Sequence, residues 1–409
     1  MNEEVIYYPE DGVRAAVEQF DTPFFLYEEK KLRSNLQTFR DSFVKYFPDF
    51  WPLYAVKANP NPEILKIVAD EGFGADCSSE SEAWICRKLG IEGMYTGNYT
   101  TRDEFKTVMG DDMIVNLDDI SMIETVAELG MPELISFRIN PGVGNGDFVT
   151  AGPDAKYGVP FEKASEAYKL AAEAGAKRFG IHMMTGSNVP ISEENYFAEL
   201  VEKLFEIVAN VRDEAGIEIE LMNIGGGFGV PYKPEEESLD MNKLAASIRS
   251  EFDKAVEKYG VKEPRLMAEP GRWIGANVGW LVSKVHVIKD SYKKFVGIDA
   301  SSSDMPRPSI YGAYHYASVL DGSDRSLEEV SVVGRICENN DQFVKNRELP
   351  IMEVGDVVLI HNCGAHAFVM GHNYNGRVRH AECLLEENGE LRMIRRAETI
   401  KELFQTTPL

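Results

Sequence analysis

The chain has few cysteines, few basic residues and no long apolar run, and each shortage argues against a class of protein. Its five cysteines are odd in number and show no CxxC spacing, which argues against a disulfide framework and a structural zinc site. Lysine and arginine total 43 against 67 for aspartate and glutamate, giving a formal net charge of −24. That charge argues against nucleic acid and anionic membranes as partners, although a local basic pocket for an anionic ligand stays compatible with it.

Neither a targeting segment nor a membrane span is predicted. The first residues, Met1-Asn2-Glu3-Glu4, are acidic, whereas secretory and transit segments begin with basic residues. The apolar runs fall far short of the ~20 residues that a membrane helix needs. We therefore expect a reduced, cytoplasmic protein with no contact to membranes.

The first two thirds of the 409 residues alternate short apolar segments with helical patterns, without any repeat in the sequence itself. About eight strand–helix units in roughly 240 residues are typical of a (β/α)8 TIM barrel. A doubly wound open sheet is the alternative, but a glycine-rich nucleotide turn after the first strand is missing. The predicted strands are Trp51–Lys57, Phe73–Asp76, Met94–Gly97, Met113–Leu117, Leu134–Asn140, Arg178–Met184, Glu218–Gly225 and Arg265–Glu269. The predicted helices are Asn61–Glu71, Ser79–Leu89, Phe161–Ala174, Glu193–Ala215 and Leu239–Tyr259.

From Gly279 onward the pattern changes to strands separated by turn signals such as Asp321-Gly322 and Asn388-Gly389. We predict a barrel at residues 36–275 and an antiparallel β domain formed by residues 1–35 and 276–409, tightly packed around a shared cleft. Phe24–Tyr27 is a further candidate strand of the β domain. Its other predicted strands are Trp280–Lys289, Lys294–Asp299, Val330–Val333, Asp356–His361, Gly376–Leu385 and Leu391–Arg395.

Lys57 stands at the end of the first predicted barrel strand, in the segment Tyr54-Ala55-Val56-Lys57-Ala58-Asn59. Active sites of such barrels form where the strands end. The apolar residues before Lys57 favour the neutral amine, which is the nucleophile needed for a Schiff base. A surface lysine that extends its amine into water is an equally good interpretation of the position alone.

Two segments after the seventh and eighth predicted strands suit an anionic ligand. In Gly225-Gly226-Gly227-Phe228-Gly229 the glycines let backbone N–H groups approach an oxyanion, although tight turns also use glycine. In Glu269-Pro270-Gly271-Arg272 the guanidinium could hold a phosphate or carboxylate, and Glu269 could pair with a protonated ring nitrogen. The alternative is a structural ion pair between Glu269 and Arg272.

The β part holds further polar residues whose plainest interpretation is structural. Cys337-Glu338-Asn339-Asn340-Asp341 places a thiol among acids that are usually solvated turn residues, and such a thiol is more often buried and inert. Arg307-Pro308-Ser309-Ile310-Tyr311 sets an arginine and a phenol four residues apart, and Asn373-Tyr374-Asn375-Gly376 is typical of a turn. The nearby histidines lack the spacing of metal ligands, so no metal site is predicted.

Taken together, these segments resemble the fold-type III pyridoxal-phosphate decarboxylases, whose fold is an alanine-racemase-like barrel followed by a β domain. Each motif is weak alone, but their common order over nearly the whole chain is specific. Within the family, the resemblance is greatest to members that act on diaminopimelate. The matching segments are Ala55–Asn59, Gly186–Asn188, Gly225–Gly227, Glu269–Arg272, Arg307–Tyr311, Cys337-Glu338 and Asn373–Gly376.

The resemblance implies that the chain binds pyridoxal 5′-phosphate and that Lys57 carries it covalently. Glu269 would keep the pyridine nitrogen protonated. The phosphate would be bound by the glycine run, by Ser187 and by the backbone around Gly271-Arg272. The implied cofactor contacts are Lys57, Ser187, Gly225, Gly226, Gly227, Glu269, Gly271, Arg272, His366 and Tyr374.

The implied reaction is decarboxylation of meso-2,6-diaminopimelate to L-lysine. Arg272, Arg307 and Tyr311 would bind the distal carboxylate of this amino-acid substrate, and Glu338 would recognise its distal amino group. Cys337 would reach in from a second subunit, which implies a homodimer with shared active sites, and Cys337 or Lys57 would protonate the α-carbon. An arginine at position 307 would repel the cationic side chain of ornithine.

Two positions depart from the family pattern. Met184 stands where the family usually stacks a histidine on the cofactor ring, and its thioether is expected to pack without hydrogen bonding. His366 stands where a tyrosine usually reaches the phosphate. These departures leave open a related decarboxylase for ornithine, lysine, arginine or a carboxylated polyamine, a racemase on the same barrel, or a non-catalytic homologue.

Overall fold

The computed structural model describes residues 2–110, 112–144, 148–189 and 195–408. They divide into two compact units. The β unit comprises Met1–Ser34, Pro231–Glu237 and Ile274–Leu409, and the barrel unit comprises Asn35–Val230 and Ser238–Trp273. The β unit thus includes a seven-residue segment, Pro231–Glu237, that lies inside the range 36–275 assigned to the barrel from the sequence.

Eight parallel strands form a closed barrel, which confirms the predicted fold. Each strand pairs with the next in chain order, and the eighth pairs with the first to close the ring. The observed strands lie within or next to the eight predicted ones. They are Trp51–Ala55, Gly74–Cys77, Gly93–Tyr95, Met113–Leu117, Leu134–Asn140, Arg178–His182, Leu221–Asn223 and Arg265–Ala268.

The barrel strands are short apolar runs because both of their faces are covered. Leu53, Met94, Leu221 and Met267, from four different strands, form a buried cluster inside the barrel. The observed strands are shorter than the predicted ones because polar residues follow the last paired residue. Glu269 comes directly after it in the eighth strand, and Lys57 lies two residues beyond it in the first. The barrel therefore presents its polar residues where the strands end.

Helices follow the strands, and the five that the periodicity predicts are present. Residues 193 and 194 of the predicted helix Glu193–Ala215 lie outside the described residues, and Phe161–Ala174 begins with a 3-10 turn at Phe161–Lys163. The α-helices of the described residues are Glu3–Ile6, Glu10–Gln19, Glu29–Val44, Pro62–Asp70, Glu80–Lys88, Arg102–Val108, Met122–Gly130, Ala164–Glu173, Tyr196–Ala215, Met241–Tyr259, Arg272–Gly275, Arg307–Tyr311 and Ile400–Leu403. None of them is long and apolar enough to cross a membrane.

The β unit contains a mixed sheet, so the predicted antiparallel arrangement holds for most pairs and is wrong for two. Phe24–Glu28 runs parallel to Ala381–Leu385, and Lys294–Ile298 runs parallel to Leu327–Val333. Phe24–Glu28 also confirms the candidate strand near the N-terminus. The remaining strands of this unit are Gly279–Asp290, Ala317–Val319, Gln342–Pro350, Val357–Ile360 and Leu391–Arg395.

The core of the β unit packs both ends of the chain on one side of this sheet. Phe24 and Leu26 come from the N-terminal strand, Trp280 from the long strand after the barrel, and Leu359 and Cys383 from late strands, and all are fully buried. Val13 and Ala16 of the helix Glu10–Gln19 cover the same cluster. The N-terminal segment therefore belongs structurally with the C-terminal third of the chain.

Candidate active site

Lys57 lies in a 3-10 turn, Val56–Ala58, directly after the first barrel strand. Its Nζ donates a hydrogen bond of 3.1 Å to Oδ2 of Asp76, a fully buried residue of the second strand. Burial lowers the pKa of Lys57, but the carboxylates of Asp76 and Glu269 outweigh it and hold the pKa above its ordinary value. The prediction of a neutral amine is therefore wrong, because the sequence neighbours of Lys57 are apolar while its neighbours in space are acidic.

Glu269 follows the eighth strand and is 4% exposed. Its Oε1 accepts a hydrogen bond of 2.7 Å from Nδ2 of Asn223, and its Oε2 lies 3.3 Å from Nε2 of His182. Burial raises the pKa of Glu269, but His182, Lys57 and the hydrogen bonds lower it to about 2. Glu269 is thus a buried, ionised acceptor. Its partners are His182 and Asn223, whereas the alternative interpretation of the sequence was an ion pair with Arg272.

The glycine loop Gly225–Gly227 is closely packed on its surroundings. Gly225 and Gly227 have φ of +70° and +89°, a conformation that residues with a Cβ rarely adopt. A Cβ on Gly226 would lie 2.3 Å from the carbonyl oxygen of Glu269. Phe228 anchors the loop, with its ring stacked on Phe197 at 4.6 Å between centroids. The loop therefore approaches Glu269 as closely as a backbone can.

Two of the three N–H groups of this loop already have partners within the chain. The N–H of Gly225 donates to Oδ1 of Asn223 at 2.9 Å, and that of Gly226 lies 3.2 Å from the sulphur of Met184. Thioether sulphur is a weak hydrogen-bond acceptor. The expectation that Met184 packs without hydrogen bonding is therefore wrong, because it sits beneath a backbone N–H.

Arg272 and Ser187 meet at the same end of the barrel. Arg272 begins the helix Arg272–Gly275, is 9% exposed, and donates from Nη2 to Oγ of Ser187 at 3.3 Å. Gly271, just before this helix, would place a Cβ 3.0 Å from the Cβ atoms of Ala55 and Ala58. This close approach brings the start of the helix against the turn that holds Lys57. The structure thus brings together the residues that the sequence predicts at the ends of strands one, seven and eight.

The β unit holds a second group of predicted residues. Arg307 is the first residue of the helix Arg307–Tyr311 and is 3% exposed. Its Nη1 donates a hydrogen bond of 2.5 Å to the hydroxyl oxygen of Tyr232, and its guanidinium lies 5.0 Å from the centre of the same ring. Tyr311, at the other end of the helix, is about half exposed. Tyr232 therefore fixes an arginine that is otherwise enclosed by protein.

A pocket of about 400 Å³ in the β unit brings Glu338 and Tyr374 together. Oε1 of Glu338 accepts a hydrogen bond of 3.0 Å from the backbone N–H of Asn340. Tyr374 begins the 3-10 turn Tyr374–Gly376, as its turn signal predicts. The pocket is lined by Ser302, Ser309, Ile310, Ile336, Glu338, Asn340, His372 and Tyr374.

In the loop from Cys337 to Asp341, the first and the last residue differ from the prediction of a buried thiol followed by solvated acids. Cys337 is exposed instead of buried, and its backbone N–H donates to Oδ1 of Asn375 at 2.5 Å. Asp341 is 3% exposed instead of solvated, since its two carboxylate oxygens accept backbone N–H groups of Ser302 at 2.6 Å and Ile336 at 3.0 Å. Asp341 therefore shapes the loop, whereas Glu338 is exposed as predicted. His366 occupies a turn of the same unit, with φ of +54°.

Sequence reasoning missed three polar residues of the barrel site: Asp76, His182 and Asn223. Each is the last or next-to-last residue of a barrel strand, and each is at most 1% exposed. Active-site residues of such barrels gather where strands end. Applying that rule to every strand, instead of only to those with a lysine or glycine run, finds all three.

Comparison with known proteins gives the family. The model of the pyridoxal binding domain of pyridoxal-dependent decarboxylases matches residues 30–276. The chain belongs to this family. A diaminopimelate decarboxylase of Methanothermobacter thermautotrophicus is 36% identical over 97% of this chain and 93% of its own length. Protein TabA of Pseudomonas amygdali pv. tabaci, another relative, is 37% identical over 93% of this chain and 90% of its own length.

A solved member of the family shares the whole architecture. The diaminopimelate decarboxylase of Methanocaldococcus jannaschii, crystallised in complex with L-lysine, superposes with a TM-score of 0.88 at 32% identity. The superposition covers 97% of this chain and 94% of that chain. The similarity therefore extends through both units.

The barrel residues suit the family's cofactor. A phosphate needs donors, a protonated pyridine nitrogen needs an ionised acceptor, and an aldehyde needs an unprotonated amine. Arg272 and Glu269 supply the first two, and Lys57 supplies the third once its ammonium group has lost a proton. Oδ1 of Asp76 and Nδ1 of His182 are buried without a hydrogen-bond partner in the described part of the chain. Buried polar atoms are normally bonded, so unpaired ones are typical of a ligand site. Pyridoxal phosphate fits this set of groups.

Proposed function

We propose that the protein decarboxylates meso-2,6-diaminopimelate to L-lysine and CO2, with pyridoxal 5′-phosphate as cofactor. The observation that supports this most is similarity over nearly the full length to several proteins named diaminopimelate decarboxylase, at 30% to 36% identity. The residues agree, since this substrate carries an extra carboxylate and ammonium, and the chain offers a buried arginine and an exposed glutamate for them.

The barrel residues would hold the cofactor. Lys57 would bind it covalently, and the ionised Glu269 would keep its ring nitrogen protonated. Arg272 and Ser187 would bind the phosphate together with the N–H of Gly227, because the N–H groups of Gly225 and Gly226 have partners within the chain. When bound, the cofactor supplies an electron sink for the charge left on the α-carbon as CO2 departs.

Residues of the β unit would select the substrate. Arg307 and Tyr311 would bind the distal carboxylate, assisted by Arg272, and Glu338 would accept the distal ammonium. Arginine suits the first task because its planar guanidinium binds a carboxylate with two parallel hydrogen bonds. His366 and Tyr374 are further candidates for contacts with the cofactor. The α-carbon would receive its proton from Cys337 or from the Nζ of Lys57, which the nearby carboxylates keep charged.

We also propose a cytoplasmic homodimer in which Cys337 of one subunit serves the site of the other. The exposure of Cys337 supports this part, because a thiol that acts across an interface must lie on the surface of its own chain. Its backbone is fixed by Asn375, so the loop is held in a defined conformation.

A substrate panel tests the function. Purified protein loaded with pyridoxal phosphate should release carboxyl-labelled CO2 from meso-diaminopimelate and form an equal amount of lysine. Ornithine, lysine, arginine and a carboxylated polyamine serve as competing substrates. Turnover of one of these in place of diaminopimelate contradicts the substrate assignment. Exchange at the α-carbon without loss of the labelled carboxyl group identifies a racemase, and a protein that takes up no cofactor contradicts both enzyme assignments.

A related substrate is the second candidate. The relative named Protein TabA is as similar as the decarboxylases, so similarity of this degree extends to proteins that do not carry the decarboxylase name. Met184, in place of the family's usual histidine, is a difference close to the glycine loop. A diaminopimelate derivative that retains both of its charged ends would satisfy the same arginine and glutamate and therefore belongs in the panel.

A further inference from the structure

Asn223 joins two parts of the barrel site. It is the last residue of the seventh strand and is completely buried. Its Oδ1 accepts the N–H of Gly225 at 2.9 Å, and its Nδ2 donates to Oε1 of Glu269 at 2.7 Å. Because an amide oxygen only accepts and an amide nitrogen only donates, each end of the side chain has a partner of the matching kind.

The backbone links the same two parts a second time. The N–H of Glu269 donates to the carbonyl oxygen of Gly225 at 2.8 Å. The carbonyl oxygen of Glu269 in turn lies against Gly226, where a Cβ would be 2.3 Å away. The side chain of Asn223 and this backbone contact both join the glycine loop to Glu269. The loop and Glu269 therefore cannot shift independently.

We propose that Asn223 is a positioning residue that locks the phosphate-binding loop and the ring-binding carboxylate into one rigid unit. This rests on the proposed function, since the roles of the loop and of Glu269 come from it. The amide is required because Glu269 must remain an ionised acceptor. An aspartate of the same shape would place two carboxylates 2.7 Å apart, which can coexist only by sharing a proton.

Two variants separate the two hydrogen bonds that the Asn223 side chain makes. Asn223→Asp keeps an acceptor for Gly225 but replaces the neutral amide donor to Glu269 with a carboxyl group that must share a proton with it, whereas Asn223→Ala removes both contacts. The cofactor-free protein is titrated with pyridoxal phosphate and with pyridoxal, which lacks the phosphate. Asn223→Asp should weaken both ligands by the same factor, about 10- to 100-fold for a hydrogen bond to a charged group. Asn223→Ala should in addition reduce the preference for pyridoxal phosphate over pyridoxal, because the loop loses its support.

A double-mutant cycle distinguishes positioning through Glu269 from a general structural role. In a Glu269→Gln background the carboxylate is gone, so Asn223→Asp should then change affinity by less than about twofold. Gln37→Glu is the matched control, because the amide Nε2 of Gln37 likewise donates to a carboxylate, Oε2 of Glu71 at 3.1 Å, from the helix Glu29–Val44, which carries none of the predicted site residues. It should bind both ligands as the wild type does. Circular dichroism and melting temperatures of the cofactor-free variants verify that they fold. If Asn223→Ala does not fold, the double-mutant cycle of Asn223→Asp with Glu269→Gln is sufficient to test the proposal.

The outcomes that contradict this proposal differ from those that contradict the function. An Asn223→Asp protein that binds within twofold of wild type, or that loses the same factor with Glu and with Gln at position 269, overturns the role of Asn223. A wild-type protein that binds neither ligand overturns the cofactor assignment itself.

Discussion

Arg307 and Tyr232 are joined by a hydrogen bond of 2.5 Å, although 75 residues separate them in the chain. Both side chains are buried, so the phenol oxygen holds the arginine in one orientation. Tyr232 belongs to the segment Pro231–Glu237, which the β unit includes although it follows the glycine loop in sequence. If Arg307 has its proposed role, Tyr232, a residue outside the predicted motifs, would influence substrate binding through this contact.

Replacing Arg307 should weaken substrate binding. Arg307→Lys keeps a charge but loses the two-pronged geometry, so we expect KM for diaminopimelate to rise about 10- to 100-fold with a smaller change in kcat. Tyr232→Phe leaves the arginine and removes only its support, so KM should rise by a smaller factor. Arg325→Lys is the control, since Arg325 bonds both oxygens of Asp356 elsewhere in the unit. Unchanged KM in Arg307→Lys would show that this arginine does not bind substrate.

Lys57→Ala should abolish covalent attachment of the cofactor. The wild-type protein with pyridoxal phosphate should absorb near the wavelength of a lysine-linked cofactor, and borohydride should fix the cofactor mass on the peptide that contains Lys57. The variant should show neither signal, with activity reduced by several orders of magnitude. Lys66→Ala serves as control, because Lys66 lies on an exposed helix face and pairs with Glu63 at 2.6 Å. Attachment that survives in Lys57→Ala assigns the cofactor to another lysine.

The buried His361 should make the β unit less stable in mild acid. Burial lowers the pKa of His361 to about 3, whereas a histidine of the unfolded chain has a pKa near 6.5. Between these pKa values the unfolded state binds one more proton than the folded state. The free energy of unfolding is therefore unaffected by protonation of His361 above pH 6.5 and decreases as the pH falls toward 3. From pH 7 to pH 5 the loss should be about 2 kcal/mol.

Urea unfolding at pH 7 and pH 5 measures this effect. The wild type should lose about 2 kcal/mol more than His361→Gln between the two pH values, whatever the substitution costs at pH 7. His286→Gln, at an exposed position, should retain the wild-type pH dependence. Equal pH dependence in wild type and His361→Gln would mean that His361 is not held neutral.

The barrel could be predicted from the sequence because its information is local. Each strand is a short apolar run covered on both faces, so the eight runs can be recognised one at a time. The β unit was less predictable for the same reason. Gln342–Pro350 contains lysine, asparagine and glutamate on its exposed positions, and Ala317–Val319 is only three residues long, so the sequence pattern predicts neither strand. Which strands run parallel depends on pairings between distant segments, such as Phe24–Glu28 with Ala381–Leu385.

The site divides in the same way. The lysine, the glycines and the glutamate at strand ends were visible because residue type and position in the strand suffice to suggest their chemistry. Their charge states were not, because those depend on neighbours from other strands. Asp76 keeps Lys57 charged from the adjacent strand, and His182 contacts Glu269 from 87 residues away.

Gly226→Ala should impair cofactor binding through steric overlap. The added Cβ would lie 2.3 Å from the carbonyl oxygen of Glu269, a backbone atom that cannot rotate away. Overpacking of this kind costs about 1 to 3 kcal/mol, and the shifted loop should weaken binding of pyridoxal phosphate by about tenfold or more. Gly216→Ala is the control, since Gly216 has φ of +71° but open space around it. It should lower the melting temperature and leave cofactor affinity unchanged, whereas normal affinity in Gly226→Ala would show that the loop tolerates a shift.

The proposed exchange of Cys337 between subunits can be tested by mixing two inactive proteins. Lys57→Ala and Cys337→Ala remove groups that the shared-site arrangement draws from different chains. If the variants are unfolded together and refolded in equal amounts, half of the dimers should contain one of each. Such a dimer has one site with both residues intact and one site with neither. About a quarter of the wild-type activity should therefore return, as two-fold symmetry with shared sites requires. If each site uses residues of a single chain, every site in the mixture lacks one of the two groups, and the activity of the mixture stays at the average of the two variants.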